Sequence, residues 1–114
     1  MQIRCYCDLY VSSGLKNRKN QVILELMERR IENYFYVVSL AQNTQNHLEF
    51  FPASILLQKY YEEERLFVVG LAESYPAAQH LIREIVQDVT DHTGGTDVRG
   101  YITARQKAFE ESRG

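Results

Sequence analysis

Residues 66–86, LFVVGLAESYPAAQHLIREIV, constrain the fold more than any other stretch of the chain. The first seven residues form an apolar run that is typical of a buried strand. A helix is predicted next, with Ser74 as its N-cap and Pro76 in its first turn, where no N–H is needed. Its apolar stripe ends at Gly94 and Gly95 and consists of Ala78, Leu81, Ile82, Ile85 and Val89.

The glycine in this strand raises the question of a nucleotide site. A dinucleotide-binding turn needs three glycines in the spacing G-x-G-x-x-G, so that the backbone can approach the pyrophosphate. The corresponding residues here are Gly70, Ala72 and Tyr75, and the sequence contains no GK[ST] of a P-loop. We therefore interpret Gly70 as a site of close packing between helix and strand.

Length and charge restrict the class of protein. A chain of 114 residues with 45% apolar and 25% charged residues is typical of one globular domain. The net charge of -2 argues against nucleic-acid binding. No apolar run approaches the roughly 20 residues that span a bilayer, and no signal-peptide core follows Met1. The expected location is the cytoplasm, with no membrane partner.

The remaining elements follow from periodicity. Residues 2–11 alternate between apolar and polar side chains, which predicts a strand, and Val22 begins a helical pattern that extends to Ile31. Residues 34–41 and 47–51 indicate a hairpin. The stretch after Pro52 fits either a short helix or an irregular segment. Residues 97–102, DVRGYI, are interpreted as a last strand, and Thr103 and Gln106 as the capping box of a polar helix.

This order of elements resembles the ferredoxin-like βαββαβ sandwich, an α+β fold. In this interpretation residues 1–102 form a single domain. Residues 47–63 are an elaboration of its middle, and residues 103–114 are a polar C-terminal tail helix. The resemblance implies that the first strand lies parallel to and beside the strand at 66–72. It implies no activity, because the fold serves many functions.

Tyrosines on alternate positions suggest a surface for a partner. They fall on the predicted non-core face of the sheet and are Tyr6, Tyr10, Tyr34 and Tyr36. Such a face could stack nucleic-acid bases, but the acidic net charge argues against this. Tyrosine also supplies amphipathic contact area in protein interfaces. We expect a non-enzymatic interaction domain that forms a homodimer, or binds another protein, through this open face.

A second possibility is a ligand-binding or regulatory domain that holds a small anion. Parallel pairing of the two strands would bring residues 12–19 and 72–76 to one edge of the sheet. The candidate residues at that edge are Ser12, Ser13, Lys16, Arg18, Lys19 and Ser74. Cations beside a helix N-terminus are unfavourable unless a negative group joins them. The alternative is that Glu73 neutralises this loop, or that the loop is simply solvated.

Metal binding and catalysis have less support in the sequence. An acidic cluster in the last turns of the long helix and just after its glycine turn could supply oxygen and imidazole ligands from Asp88, Asp91, His92 and Asp97. Solvated carboxylates, with His92 at the negative end of a helix, are the better interpretation. Cys5 and Cys7 are typical of small buried residues. No arrangement of nucleophile and base is evident, so we predict no cofactor and no catalytic residues, and lean against an enzyme.

Overall fold

The computed structural model describes residues 2–40, 48–57 and 65–113. This part of the chain is an α+β fold with a four-stranded mixed sheet and three helices, as the α+β prediction required. The strands are β1 (Gln2–Val11), β2 (Tyr36–Leu40), β3 (Leu48–Pro52) and β4 (Arg65–Ala72). The helices are α1 (Lys19–Glu28), α2 (Tyr75–Thr93) and α3 (Val98–Arg113), and short 3₁₀ segments cover Ser13–Arg18 and Ala53–Leu57.

The strands are arranged in the order β1-β4-β2-β3. The parallel pairing of β1 with β4 confirms the expectation that these two strands are neighbours. β2 pairs antiparallel with both β3 and β4, so the predicted hairpin of β2 and β3 is also confirmed. The order is not that of a ferredoxin-like sheet, because β3 extends the far edge and the described residues supply no final strand beside β1.

The β4–α2 unit is built as the sequence predicts. A Cβ atom on Gly70 would stand 2.7 Å from a methyl carbon of Leu81 and 3.2 Å from the carbonyl oxygen of Tyr10, so only glycine permits this approach. The Ser74 hydroxyl accepts a hydrogen bond from the Ala77 N–H at 3.2 Å and caps α2. The helix ends at Gly94, whose φ is 75°.

Helices cover both faces of the sheet. On one face α1 contributes Val22 and Leu26 to a core around Val37 and Val68. On the other face α2 and α3 pack against the side chains of β1, β2 and β4, including Tyr6. The expectation of an open, tyrosine-bearing face on β1 is therefore wrong. Alternation in β1 identified its two faces but could not show that a second layer of helices lies over the polar one.

α3 replaces the predicted last strand. Asp97 begins the helix by accepting a hydrogen bond from the Gly100 N–H at 3.0 Å. Val98 and Ile102 are both buried, and their spacing of four residues places them on one face of a helix. Because apolar residues four apart satisfy both a helical and an alternating pattern, DVRGYI was misinterpreted. The helix begins at Val98 and not at Thr103. The division of the chain into a domain at 1–102 and a tail at 103–114 stays a prediction.

α3 also lies along β1, the edge strand of the sheet. The Gln106 side chain accepts a hydrogen bond from the Cys7 N–H at 2.7 Å, so α3 satisfies a backbone donor of the edge strand. Arg105 pairs with Asp8 at 2.6 Å. Arg4 likewise pairs with Glu110. These contacts explain why a largely polar helix packs here.

The predicted elaboration at residues 47–63 is only partly visible. Its described portion consists of β3 and the 3₁₀ segment Ala53–Leu57, which follows Pro52 directly. Residues 47 and 58–63 lie outside the described part of the chain. The short helical turn after Pro52 agrees with one of the two interpretations of this stretch.

Candidate functional site

A crevice of about 530 Å³ lies outside the carboxyl ends of β1 and β4. The connection after β1 leads to α1 on one face of the sheet, whereas the connection after β4 leads to α2 on the other face. In open sheets with helices on both faces, ligands bind where neighbouring parallel strands send their connections in opposite directions. The fold therefore places this crevice where binding sites commonly occur.

The polar lining comes from both connections. Seven polar or charged side chains contribute: Ser12, Ser13, Lys16, Glu73, Ser74, His80 and Glu84. Four of the six anion-site candidates named from the sequence are among them. Arg18 and Lys19 do not line the crevice, and Arg18 instead donates a hydrogen bond to the Asn33 side-chain oxygen at 3.3 Å. The two loops meet as expected, but only one of the three basic residues faces the space between them.

Ser12 and Glu73 connect the two strand ends. The Ser12 N–H donates to the Leu71 carbonyl oxygen at 2.9 Å, which extends the parallel ladder by one bond. The Ser12 hydroxyl donates to the Glu73 carboxylate and accepts from the Glu73 N–H at 3.2 Å. The hydrogen bond from Ser12 lowers the pKa of Glu73, and backbone N–H groups of Glu73 and Gly14 lower it further against the opposing effect of burial. The side chain is thus an ionised carboxylate at neutral pH.

Gly14 leaves room for that carboxylate. A Cβ atom at this position would stand 2.5 Å from the carboxyl carbon of Glu73 and 2.7 Å from Oε1. Such distances are far below van der Waals contact, so any other residue would displace the Glu73 side chain. The Glu73 carboxylate therefore lies against the backbone at Gly14 on one side and the Ser12 hydroxyl on the other. The site formed by the Ser12 hydroxyl and the Gly14 backbone is called the carboxylate seat below.

The four tyrosines proposed as an interface separate into two groups. Tyr6 is 3% exposed, and burial raises its pKa to about 12. Tyr10 stacks beside it at 6.5 Å between ring centroids and donates to Asp88 at 2.9 Å. Burial, followed by this hydrogen bond, also raises the pKa of Tyr10. These two side chains pack between the sheet and the helices α2 and α3, so they do not form the open face predicted from the sequence.

Tyr34 and Tyr36 belong to an aromatic cluster that the sequence did not reveal. Their hydroxyls are 2.9 Å apart, and Tyr36 also contacts Phe50 and Tyr75, with ring centroids at 6.2 Å and 6.0 Å. Phe50 and Tyr75 are themselves 5.1 Å apart. Tyr34 is 65% and Tyr75 51% exposed. Tyr75 begins α2, so its proximity to β2 and β3 could be known only from the strand order.

The acidic cluster at the C-terminal end of α2 and in the turn that follows does not form a metal site. Tyr10 binds Asp88, and the Gln87 amide donates to Asp91 at 2.8 Å. His92 Nδ1 donates to the backbone carbonyl oxygen of Asp88 at 2.7 Å. Asp97 caps α3. No group of three or more His, Cys, Asp or Glu side chains in residues 2–40, 48–57 and 65–113 is arranged to hold a metal ion.

Comparisons with known proteins do not supply a function. No protein-family model, no curated protein and no solved structure matches the chain. None of the helices in the described ranges has the length and apolar character that crossing a bilayer requires. Any functional conclusion must therefore rest on the chemistry of the crevice and of the exposed aromatic cluster.

Proposed function

We propose that the protein is a ligand-binding domain that holds a small anion in the crevice at the carboxyl ends of β1 and β4. The observation that carries the proposal is the position of the crevice. It lies between two parallel strands whose helices pack on opposite faces of the sheet, and polar groups from both connections line it.

The chemistry of the lining is suited to an anionic group. Ser12 supplies a hydroxyl donor beside the Gly14 backbone, and Lys16 supplies a positive charge at the mouth of the crevice. The Ser12 hydroxyl already binds a carboxylate of the chain, that of Glu73. Glu84 opposes a second negative charge, which favours a ligand that is small and carries a single anionic group.

Substitution of Lys16 tests this proposal. We expect Lys16→Ala to weaken binding of acetate, phosphate or sulfate about tenfold, because a charge-assisted hydrogen bond contributes about 1.5 kcal/mol or more. Lys19→Ala removes the same charge from a residue outside the crevice and should bind like the wild type. The measurement is ligand-dependent thermal stabilisation at constant ionic strength. Equal affinities in the two variants, or no stabilisation of the wild type, would contradict the proposal.

A second candidate function is self-association through the aromatic cluster of Tyr34, Tyr36, Phe50 and Tyr75. The specific observation in its favour is the exposure of Tyr34 and Tyr75, two large side chains that already contact aromatic neighbours. A tyrosine hydroxyl both donates and accepts hydrogen bonds, so a second copy presents complementary groups to the same surface.

Light scattering on paired charge variants tests this second function. We expect the wild type to form a dimer at about 100 µM, a concentration well above micromolar dissociation constants. The double variant Tyr34→Glu, Tyr75→Glu should be a folded monomer. Leu24→Glu, Met27→Glu adds the same charge at exposed apolar residues of α1 and should remain dimeric. A wild type that is monomeric at this concentration would exclude self-association as a function of the cluster.

A further inference from the structure

The Glu73 carboxylate occupies the donors that an incoming anion needs. We propose that Glu73 is a built-in competitor for the site and that the group it competes with is a carboxylate. This inference rests on the proposed ligand-binding function, and it specifies both the class of ligand and how the chain limits its binding. It depends on the geometry of the carboxylate seat formed by Ser12 and Gly14.

The seat matches the two oxygens of a carboxylate. Oε2 of Glu73 accepts from the Ser12 hydroxyl, and Oε1 lies against the backbone at Gly14. A planar carboxylate fits this space with one oxygen on the hydroxyl and the other beside the backbone. A phosphate group has further oxygens, for which the seat supplies no donor. The seat therefore favours a carboxylate over a tetrahedral anion.

Glu73 is able to leave the seat without disturbing the core. It lies in the short connection between β4 and α2 and is only partly buried. Its backbone N–H bonds to the Ser12 hydroxyl oxygen and does not require the side chain to stay in place. A ligand carboxylate that replaces it would accept the same hydrogen bond from the Ser12 hydroxyl. The wild-type affinity is consequently reduced by the fraction of time for which Glu73 occupies the seat.

Removing the competitor should increase the affinity for a carboxylate. We expect Glu73→Ala to bind acetate about tenfold more tightly than the wild type, since the seat is then always available. Glu73→Gln keeps a neutral competitor whose hydrogen bonds are roughly half as strong, so a gain of about threefold is expected. The measurement is the shift of the Gly14 amide resonance during titration with sodium acetate, with sodium chloride holding the ionic strength constant. Glu73→Gln serves as the test if Glu73→Ala does not fold.

Glu84→Ala is the matched control. It removes the same charge from the same crevice, but Glu84 does not occupy the carboxylate seat. A gain that is clearly larger in the Glu73 variants than in Glu84→Ala supports the competitor. Equal gains from Glu84→Ala, or an unchanged affinity in both Glu73 variants, would overturn it while leaving ligand binding intact. Stronger binding of phosphate than of acetate by Glu73→Ala would overturn the carboxylate assignment. If neither the wild type nor any variant responds to acetate or phosphate, the proposed ligand-binding function is wrong as well.

Discussion

Replacement of Tyr6 with glutamate is expected to unfold the protein. Tyr6 is 3% exposed and contacts Tyr10 and Phe67 beneath α2 and α3. The substitution removes a buried ring and introduces a carboxylate among apolar side chains, with a combined cost of at least about 4 kcal/mol. This loss is comparable to the entire free energy of unfolding of a marginally stable small domain, which is about 5 kcal/mol. Urea denaturation monitored by circular dichroism measures it.

Tyr34→Glu is the control for this prediction. It makes the same change at a tyrosine that is 65% exposed, and it should alter the free energy of unfolding by no more than about 1 kcal/mol. A large difference between the stability losses of the two variants indicates that helices cover the β1 face of the sheet. Equal, small losses would indicate the open face expected from the sequence. If Tyr6→Glu is as stable as Tyr34→Glu, then α2 and α3 do not cover this part of the sheet.

The second large effect concerns Glu25, a charged side chain that is only 8% exposed. Its Oε1 accepts hydrogen bonds from the backbone N–H groups of Glu32 and Asn33 at 2.7 Å and 2.8 Å, and Oε2 accepts from the Asn33 amide. These bonds hold the loop at Glu32 and Asn33 against the end of α1. Glu25→Ala should lower the free energy of unfolding by about 3 kcal/mol, because it leaves several donors without their ionised acceptor.

The effect of Glu25 should also depend on pH. Burial raises the pKa of Glu25, but hydrogen bonds from Asn33 and Glu32 outweigh it, so the pKa lies below the ordinary value of 4.5. A carboxyl group with a lowered folded-state pKa stabilises fully above its unfolded pKa and loses this contribution as the pH falls through the folded value. The difference between the wild type and Glu25→Ala should therefore be constant near neutral pH and decrease below pH 4.5.

Glu28→Ala provides the comparison for both measurements. Glu28 is an exposed residue in the last turn of α1, and its substitution should change the stability by no more than about 0.5 kcal/mol at any pH. A loss from Glu25→Ala that is as small, or one that persists unchanged in acid, would show that the hydrogen bonds of Glu25 do not hold this turn.

Local chemistry made the β4–α2 unit predictable. Gly70, Ser74 and Pro76 each have one structural role that follows from their own chemistry, and the structure confirms all three. The parallel pairing of β1 with β4 was also foreseen, and with it the meeting of the two loops that form the crevice. These features could be predicted because each depends only on residues close together in the sequence or on the parallel pairing of two strands.

The features that failed depend on distant contacts. The sequence predicts a strand at Val98 because residues 98 and 102 suit both periods, and only their packing against α2 favours the helix. Tyr6 was assigned to an exposed face because its neighbours Arg4 and Asp8 are charged. Those charges instead pair with Glu110 and Arg105 on α3, at the opposite end of the chain.

The candidate site was predictable in its location but not in its detail. The sequence predicts that Ser12, Ser13, Lys16 and Ser74 lie at one edge of the sheet. It also indicates that Glu73 could neutralise the basic loop at that edge. It could not show that Glu73 lies in the carboxylate seat, because this requires the exact distance between the two strand ends. Arg18 points to Asn33 for a similar reason: the 3₁₀ turn at Ser13–Arg18 directs it away from the crevice.

Anion binding in the crevice between the ends of β1 and β4 can be tested on the wild-type protein itself. The measurement is a titration with acetate at constant ionic strength, followed through the amide resonances of every residue. We expect saturable shifts concentrated at Ser12, Gly14 and Glu73. Shifts that do not saturate, or that are spread over exposed lysines and arginines away from the crevice, would contradict it.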